Sequence, residues 1–310
     1  MTVNIDYVGN GRVYLIAGGG RTYCDVAAKF CRTSKDVESI IASPQAKQLI
    51  KSLLESGHKS ALEFDNFIFG IEGFSRVTEV QLVRKRHASY NIKSGRNEMH
   101  GKRTMDVVIP EEIESVSADI PLNMDKLQCI INEDVEYSWS TGNKTKYMTV
   151  GHNDKSISFS ELNKKYNLGI KNIYTSLDTT DIIHIIDKWY DSGLELSIPE
   201  ECLRYMKPQA TEFKAAVMMN TAALYDWARI RMCRRAQKEI RDLCTKMINM
   251  ARSAAPELFP KIGPSCVMDG YCPELEQCEE HKGIIPTKTQ YLEFIKNNDN
   301  KKLLLDINVN

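Results

Sequence analysis

Positive charge is concentrated in one short stretch of this chain. Between Arg84 and Arg103 there are seven lysines and arginines against one acid, Glu98, a local charge of +6 in a protein whose formal net charge is zero. Serine, asparagine and tyrosine side chains lie among these cations and add hydrogen-bonding groups. The planar guanidinium of arginine suits phosphate and other oxyanions. Such a cluster in a neutral chain is typical of a protein that binds one discrete anionic ligand, and the fold has to present it to that ligand.

The length and composition are those of a globular protein. The 310 residues can form one large domain or two modest ones, and 42% are hydrophobic and 26% charged. No apolar run reaches the ~18 residues of a membrane span, and the N-terminus lacks the pattern of a signal peptide. The nine cysteines, an odd number, favour reduced thiols in a cytoplasmic protein over a disulfide framework.

Apolar periodicity predicts a mixture of strands and helices. Strands are predicted at 13–17, ending in the glycine turn 18–20, and at 64–71. Helices are predicted at 36–57 (one or two, ended by Gly57), 78–87, 181–191, 199–207 and 213–254 (one helix, or one with a single break). The glycine turn lacks the Lys-Ser/Thr pair of a phosphate-binding loop, so we interpret it as a turn only.

The middle of the chain, residues 115–178, differs from its surroundings. Its polar part predicts a hairpin around 139–144. Ser160 is predicted to cap a helix, followed by a tight turn at 167–169 and a second short helix at 170–177. This order resembles a helix-turn-helix. Because no strong basic stripe accompanies it, we favour a small helical insertion that does not bind nucleic acid.

Helical geometry on the predicted helix 213–254 relates two polar residues. Asn220 and Arg231 are eleven positions apart, which returns them to within ~20° of one face and separates them by ~16 Å along the axis. That spacing suits a ligand with two separated polar ends. In the alternative interpretation the apolar stripe Met218, Leu224, Trp227 and Ile230 faces the core, and the arginines lie in water.

Two parts of the sequence resemble the flavin-dependent thymidylate synthases, the ThyX family. The family signature is Arg-His-Arg, seven residues and then Ser, and Arg84-Lys85-Arg86 followed by Ser94 matches it with Lys in place of His. The flanking segments 57–63, 67–76 and 89–96 are similar to the family as well. Further matches follow in the family's order and spacing at 204–208, 219–220, 224, 230–231 and 235–241. Together the two parts cover 13–110 and 180–265.

The resemblance implies an α/β (α+β) fold with a central, mostly antiparallel sheet flanked by long helices and a small inserted segment. It implies a catalytic domain at 1–114 and 179–265, an insertion at 115–178 and a C-terminal extension at 266–310. It also implies a homotetramer whose active sites are shared between subunits. No membrane partner is expected, and no nucleic-acid partner is predicted.

The resemblance also assigns residues to ligands. Contacts to the pyrimidine nucleotide are implied for Gln81, Arg84, Ser94, Gly95, Arg96, Arg204 and Arg231. Contacts to the flavin are implied for Ser60, Arg84, Lys85, Arg86, Asn220 and Asp226. Arg231 matches the arginine that assists ionisation of the pyrimidine ring, and a fixed guanidinium can stabilise that anion. No general base for Ser94 is visible, so we interpret it as a hydrogen-bonding group and not a nucleophile.

The implied reaction is the reductive methylation of dUMP to dTMP. Its implied cofactors are FAD, which carries hydride and methylene, NADPH as reductant and methylenetetrahydrofolate as carbon donor. One alternative is a divergent enzyme that alkylates or hydroxymethylates another pyrimidine nucleotide. The other is a nucleotide or nucleic-acid binder that has lost catalysis.

Several positions depart from the family pattern, mostly on the flavin side: Lys85, Ile92, Asn97, Ala222 and Asp226. Ala222 stands where an arginine is usual in the family. Flavin affinity, carbon donor or product is therefore expected to differ from the family norm, whereas the nucleotide side is intact.

The C-terminal part contains Cys266, Cys272, Cys278 and His281 within sixteen residues. Four such ligands could hold zinc, but the five-residue gaps between the cysteines exceed the usual spacing of structural zinc sites. From sequence, we interpret this part as a surface extension and predict no metal ligand.

Overall fold

The computed structural model describes residues 2–20, 22–94, 104–131, 137–141, 144–148 and 155–297. The chain forms two compact units, which we describe separately: Met1–Glu111 with Ile186–Asn310, and Glu112–Ile185. The insertion boundaries inferred from sequence, 115–178, stay a prediction. Among the described residues, no helix combines the length and apolarity needed to cross a membrane.

Strands and helices alternate irregularly along the chain. The described strands are β1 (Thr2–Tyr7), β2 (Arg12–Ala17), β3 (Asn66–Ser75), β4 (Ala88–Ile92), β5 (Thr104–Ile109), β6 (Ser117–Pro121), β7 (Gln128–Ile131), β8 (Tyr137–Thr141), β9 (Lys144–Met148), β10 (Lys155–Ser158), β11 (Tyr174–Asp178) and β12 (Glu212–Asn220). The described α-helices are α1 (Cys24–Phe30), α2 (Val37–Ile41), α3 (Lys47–Glu55), α4 (Lys59–Leu62), α5 (Arg76–Leu82), α6 (Phe159–Lys165), α7 (Thr179–Glu195), α8 (Glu200–Leu203), α9 (Thr221–Arg231), α10 (Lys238–Ala254), α11 (Ser265–Asp269) and α12 (Lys288–Asn297). Single turns of 3-10 helix occur at Glu111–Ile113, Arg204–Met206 and Pro256–Leu258.

The centre of the first unit is an antiparallel sheet with the strand order β2-β3-β12-β4. Strand β1 pairs with β5 in parallel, so the strand pairing of this unit is mixed but mostly antiparallel. The predicted α+β class with a mostly antiparallel central sheet is confirmed. The strands predicted at 13–17 and 64–71 are β2 and β3, and the glycine turn after β2 has φ values of +120°, +85° and +75°.

Strand β12 corrects the prediction of one long helix over 213–254. Phe213, Ala215, Val217 and Met219 are buried and alternate with more exposed residues, as a strand between two others requires. Alanine and methionine favour helix locally, but the hydrogen-bonding partners supplied by β3 and β4 override that preference. The helical part of the prediction holds from Thr221 onward, in two pieces, α9 and α10, separated at 232–237.

Asn220 therefore lies at a helix terminus and not on a helix face. It is the N-cap of α9, where its side-chain oxygen accepts a hydrogen bond from the Ala223 N–H at 2.7 Å. The prediction that Asn220 lies inside a helix is wrong, because α9 begins at Thr221. The two residues lie at opposite ends of α9, whose 11 residues span about 16 Å. Of the apolar stripe considered as an alternative, Leu224 and Trp227 are buried, whereas Met218 and Ile230 are exposed.

The core of this unit lies between the sheet and the helices around it. Helix α10 contributes a fully buried stripe at helical spacing: Ile240, Leu243, Cys244, Met247, Ile248 and Ala251. Phe67 of β3 packs edge-on against Phe259, with ring centroids 5.5 Å apart. This packing fixes α9 and α10 on the sheet.

Two further helix predictions need correction at their ends. The helix predicted at 78–87 is α5 and ends at Leu82, so Ser94 follows strand β4 and not a helix. Helix α7 runs through Ser192-Gly193, where its end was predicted. The helices predicted within 36–57 are α2 and α3, and Gly57 ends α3 with φ of +71°.

The second unit contains strands β6 to β11 and helix α6. The predicted hairpin is confirmed, because β8 and β9 pair in antiparallel. The predicted cap is wrong by two residues: Ser158 caps α6 and forms a capping box with Glu161. The second helix predicted at 170–177 is also wrong. Residues there form β11, which pairs with β6, so the structure has no helix-turn-helix at this place.

Candidate functional site

Arg231, the residue predicted to act on the pyrimidine ring, contacts another predicted nucleotide ligand. Its Nη1 donates a hydrogen bond to the side-chain oxygen of Gln81 at 3.1 Å, although the two residues are 150 positions apart. The Gln81 amide nitrogen in turn donates to the side-chain oxygen of Gln237. Three elements meet here: helix α5, the end of α9 and the N-cap of α10. The guanidinium is thus held by a neutral amide, and among the described residues no carboxylate forms an ion pair with it.

Gln237 is a residue that sequence reasoning did not assign to the site. It lies inside the stretch 235–241 that resembles the family, but the resemblance gave it no role. Its position could have identified it, because Gln237 immediately precedes α10 and lies only six residues after Arg231. Its contact with Gln81 links the two amides into one chain that ends on Arg231.

A buried carboxylate fixes the elements that carry this chain of contacts. Both oxygens of Glu239, on the first turn of α10, accept from Ser75: one from its N–H and one from its hydroxyl, each at 2.6 Å. Glu239 is 1% exposed and Ser75 2%. Because Ser75 is the N-cap of α5, this contact fixes the start of α5 against the start of α10.

The predicted flavin ligands Lys85 and Asp226 also lie close together. Lys59 Nζ is 2.6 Å from one oxygen of Asp226, and Lys85 Nζ is 3.8 Å from the other. The Lys85 side chain is only 15% exposed. Lys59 precedes the predicted flavin ligand Ser60 on α4 and was missed, because no local pattern connects it with Asp226. Two departures from the family pattern thus face each other as an ion pair.

The other departure on α9, Ala222, lies in the hydrophobic core. Its side chain is 6% exposed and packs with Ala223, Leu224 and their neighbours. Alanine at this position therefore completes the packing of α9 and presents no cation. Lys59 and Lys85 are the cations that contact this helix at Asp226.

The turn that carries the signature residues is fixed by a tyrosine. The hydroxyl of Tyr90, on β4, lies 2.9 Å from the carbonyl oxygen of Leu82 and 2.8 Å from that of Lys85, and donates to them. Burial raises the pKa of Tyr90 to about 12, so the hydroxyl stays a donor at neutral pH. Arg84 and Arg86 are exposed on either side of Lys85.

Replacing Tyr90 with phenylalanine is expected to lower the free energy of unfolding by about 1 kcal/mol at pH 8. An unfolded tyrosine has a pKa of about 10, so the stabilisation by the neutral hydroxyl is fully present below about pH 10 and is lost as the pH rises towards 12. Urea unfolding of both proteins between pH 8 and pH 11.5 measures this. A difference that stays constant over that range would contradict the assignment.

Ser94 and Arg204 line one cavity of about 720 Å³, which is within the range of small-ligand sites. Arg204 reaches it from the 3-10 turn after α8, and Ser94 from the end of β4. Arg76, Lys93 and Lys207 also line the cavity, so four cations face two acids, Glu79 and Glu212. Ile92, a departure from the family pattern, contributes to the same wall.

The predicted nucleotide ligands therefore occupy two places on one chain. The described residues that line the Ser94–Arg204 cavity do not include Gln81 or Arg231. Gly95 and Arg96, predicted to follow Ser94 in the nucleotide loop, lie outside the described residues, as does Asn97. Ser60, Arg84 and Arg86 are exposed, and their roles stay predictions.

Comparison with known proteins agrees with the motifs. The family model of the thymidylate synthase complementing protein (Thy1) matches residues 17–257. A flavin-dependent thymidylate synthase of Clostridium tetani is 29% identical over 255 residues, which cover 80% of this chain and 84% of that protein. One of Pyrococcus abyssi is 31% identical over 245 residues, 76% of either chain.

A solved structure shares the fold. It is the UMP/dUMP methylase PolB of Streptomyces cacaoi, crystallised with 5-Br dUMP, with a TM-score of 0.53 and 17% identity. The match covers 84% of this chain and 98% of that one. The family model spans most of the sequence, and its match includes the signature turn, Arg204 and the Gln81–Arg231 contact. The chain therefore belongs to the thymidylate synthase complementing protein family, the family of the flavin-dependent thymidylate synthases.

Proposed function

We propose that this protein methylates carbon 5 of dUMP reductively to give dTMP, as a flavin-dependent thymidylate synthase. The observation that carries the proposal is the hydrogen bond between Arg231 and Gln81, which joins two distant stretches that were each predicted to bind the pyrimidine. The family membership and the names of the relatives support the same activity.

Arg231 is the catalytic residue of the proposal. Carbon 5 of uracil becomes nucleophilic when negative charge develops on the ring, and a fixed cation next to the ring stabilises that charge. A guanidinium stays protonated in proteins, so it can do this without giving its proton to the ring. The hydrogen bond to Gln81 orients the guanidinium, and the neutral amide does not cancel its charge.

The remaining nucleotide ligands bind the substrate. We assign Ser94, Gly95, Arg96 and Arg204 to the phosphate and sugar side, and Gln81 and Arg84 to the base side. The four cations that line the Ser94–Arg204 cavity suit a phosphate. Because that cavity and the Gln81–Arg231 contact involve different residues, we propose that subunits of a homotetramer share each active site.

Subunit mixing tests the shared site. Arg204→Ala and Arg231→Ala are each expected to be inactive alone. After they are unfolded and refolded together, mixed oligomers should regain part of the activity, since some sites then combine two intact halves. Light scattering should give the mass of a tetramer. Mixed oligomers without any recovery would overturn the shared site.

The residues near Lys85 fit an anionic flavin nucleotide. Lys59 and Lys85 carry two positive charges against the one negative charge of Asp226, and the exposed Arg84 and Arg86 flank them. Ser60, Arg84, Lys85, Arg86, Asn220 and Asp226 would hold the cofactor. When bound, FAD would supply hydride and one-carbon transfer, with NADPH as reductant and methylenetetrahydrofolate as carbon donor.

Replacing Lys85 with alanine is expected to weaken FAD binding about tenfold, or ~1.4 kcal/mol, because a half-buried cation is lost. Asp226→Asn should bind FAD at least as tightly as the unmodified protein, since asparagine keeps a hydrogen-bonding side chain at this position and frees Lys59 and Lys85 from their counter-charge. Titration of apoprotein with FAD, followed by flavin fluorescence, gives both Kd values. Lys51→Ala, an exposed lysine on α3, is the control. Unchanged affinity in Lys85→Ala would remove Lys85 from the flavin site.

Tritium release tests the reaction itself. Methylation replaces the hydrogen at carbon 5, so 5-tritiated dUMP should release tritium to water when FAD, NADPH and methylenetetrahydrofolate are all present. Parallel reactions with UMP show which nucleotide is preferred, and mass spectrometry identifies the added group. Rescue of a thymidine-requiring bacterium tests the activity in a cell. Binding of dUMP without tritium release would overturn the enzyme assignment.

We also propose that the protein works in the cytoplasm. The eight cysteines whose side chains the structure describes are free thiols, which suits a reducing compartment. The proposal includes no nucleic-acid partner.

A further inference from the structure

Sulfur and imidazole side chains converge in a cavity of about 590 Å³ beside the turn that joins α9 to α10. They are Cys233, Cys266, Cys272, Cys278 and His281. Cys233 belongs to that turn, and the other four come from the C-terminal segment 266–281. The sequence alone associated only the last four, because Cys233 lies 33 residues before Cys266.

Two sulfur–nitrogen distances in this group are close to those between ligands of one zinc ion. His281 Nδ1 is 3.6 Å from Cys278 Sγ and 3.8 Å from Cys266 Sγ. In a tetrahedral zinc site with Zn–S of about 2.3 Å and Zn–N of about 2.0–2.1 Å, a sulfur and a nitrogen ligand are about 3.6 Å apart. The measured distances lie close to that value.

The other two thiols are near neighbours of Cys266. Cys233 and Cys272 line the same cavity as Cys266. Cys266 and Cys272 pack together in one small buried cluster with Val267 and Ile285. Cys233 and Cys272 are therefore available as further sulfur ligands beside Cys266, Cys278 and His281.

The backbone holds these residues in place without a metal. The N–H groups of His281 and Lys282 both donate to the carbonyl oxygen of Cys278 at 3.1 Å, so Cys278 and His281 lie on one tight turn. The Cys272 N–H donates to the carbonyl oxygen of Pro286 at 2.9 Å, so the chain after the cluster passes close to Cys272 again. The fold therefore brings the cysteines close together in spite of the five-residue gaps between them in the sequence.

Charged side chains of both signs surround the cluster. Arg234, Arg235, Lys238 and Arg241 line the same cavity, together with Asp242, Glu274 and Glu280. Arg234 also pairs with Glu280 at 2.5 Å, and Arg235 donates to the carbonyl oxygen of Glu276 at 3.0 Å. These contacts attach the cysteine-bearing segment to the turn after α9.

Among the described residues, no three His, Cys, Asp or Glu side chains are arranged so that they could hold a metal ion without moving. Rotation of a cysteine side chain between staggered conformers moves its sulfur without moving the backbone. We propose that one zinc ion closes this cluster, bound by Cys266, Cys278 and His281 and by one thiol from Cys233 or Cys272. The site goes beyond the proposed enzymatic activity and does not depend on it.

A zinc ion in this cluster would also affect the candidate active site, because the two sites share the turn between α9 and α10. Cys233 follows Arg231 by two residues, and Gln237, the partner of Gln81, ends the same turn. A zinc ion that ties the C-terminal segment to this turn would fix the end of α9. We assign the ion a structural role, because four protein ligands leave no open position for a substrate.

Metal analysis of the full chain tests the proposal. The protein is produced with zinc, purified under reducing conditions without chelator and measured by plasma mass spectrometry. About one zinc per chain is expected, and Cys278→Ser and His281→Ala should each lower the content at least fivefold. Cys202→Ser, an exposed cysteine on α8, is the matched control and should keep its zinc. Zinc that stays bound in both ligand variants would overturn the site.

A second measurement avoids variants that fold poorly. The unmodified chain, reconstituted with Co²⁺, should show the intense visible absorption of tetrahedral cobalt thiolate. Weak absorption typical of oxygen ligands, or cysteines found paired as disulfides in the reduced preparation, would overturn the proposal. Both measurements are independent of turnover, so failure of the proposed reaction would leave their result intact.

Discussion

Replacing Arg231 with alanine is expected to lower kcat/KM for dUMP methylation by about 10²- to 10³-fold, the usual effect of removing one group that stabilises charge in a transition state. The loss should fall mainly on kcat, because the guanidinium is assigned to charge that develops during the reaction and not to ground-state binding. Arg231→Lys should recover only part of the rate, since an ammonium lacks the planar fork that binds Gln81.

The tritium assay, combined with calorimetric titration of dUMP, separates the two effects. Arg32→Ala, an exposed arginine after α1, serves as the control and should keep full activity. If Arg231→Ala retained more than a tenth of the activity, or if it lost dUMP affinity and rate equally, the catalytic assignment would be wrong.

Replacing Glu239 with alanine is expected to lower the free energy of unfolding by about 3 kcal/mol. The change leaves the N–H and hydroxyl of Ser75 without acceptors inside the core, and each such loss costs about 1–3 kcal/mol. Glu239→Gln should cost less, because its amide oxygen can still accept from the Ser75 N–H.

Urea unfolding measures this stability difference. Glu55→Gln is the matched control, because that side chain is 67% exposed and its pair with Lys51 is long at 3.9 Å. Glu239→Ala should also lose more activity than its stability explains, since α5 and α10 carry Gln81 and Gln237. A variant as stable as the control would show that Ser75 finds other partners.

Of the four strands in the central sheet, β2 and β3 could be predicted from local sequence, whereas the residues of the candidate site were assigned by the family resemblance. The alternation in β3 and the glycines after β2 indicate their structures directly, and the signature turn identifies the cation cluster. Strand β12 could not be predicted, because its alanines and methionines favour helix and only the neighbouring strands β3 and β4 decide otherwise. Strand β11 could not be predicted for the same reason, since its partner strand β6 lies 50 or more residues earlier in the sequence.

The contacts that define the site are long-range, and this limited the prediction of its members. Resemblance placed Gln81 and Arg231 in one site, but no spacing in the sequence gives their hydrogen bond across 150 residues. Lys59 and Gln237 were missed because each gains its role from a partner on another element. Cys233 was missed in the same way. Its connection to the C-terminal cysteines exists only after the chain has folded.

The position of β12 between β3 and β4 has a consequence for how the polypeptide is made. Until residues 212–220 leave the ribosome, β3 has no neighbour on one edge, and β4 lacks the strand that joins it to the sheet. Exposed strand edges invite aggregation, so the nascent N-terminal half depends on rapid completion of synthesis or on chaperones. The intervening chain must then close one long loop. Since the entropy of closure rises only slowly with length, evolution could lengthen that loop at little cost to the finished enzyme.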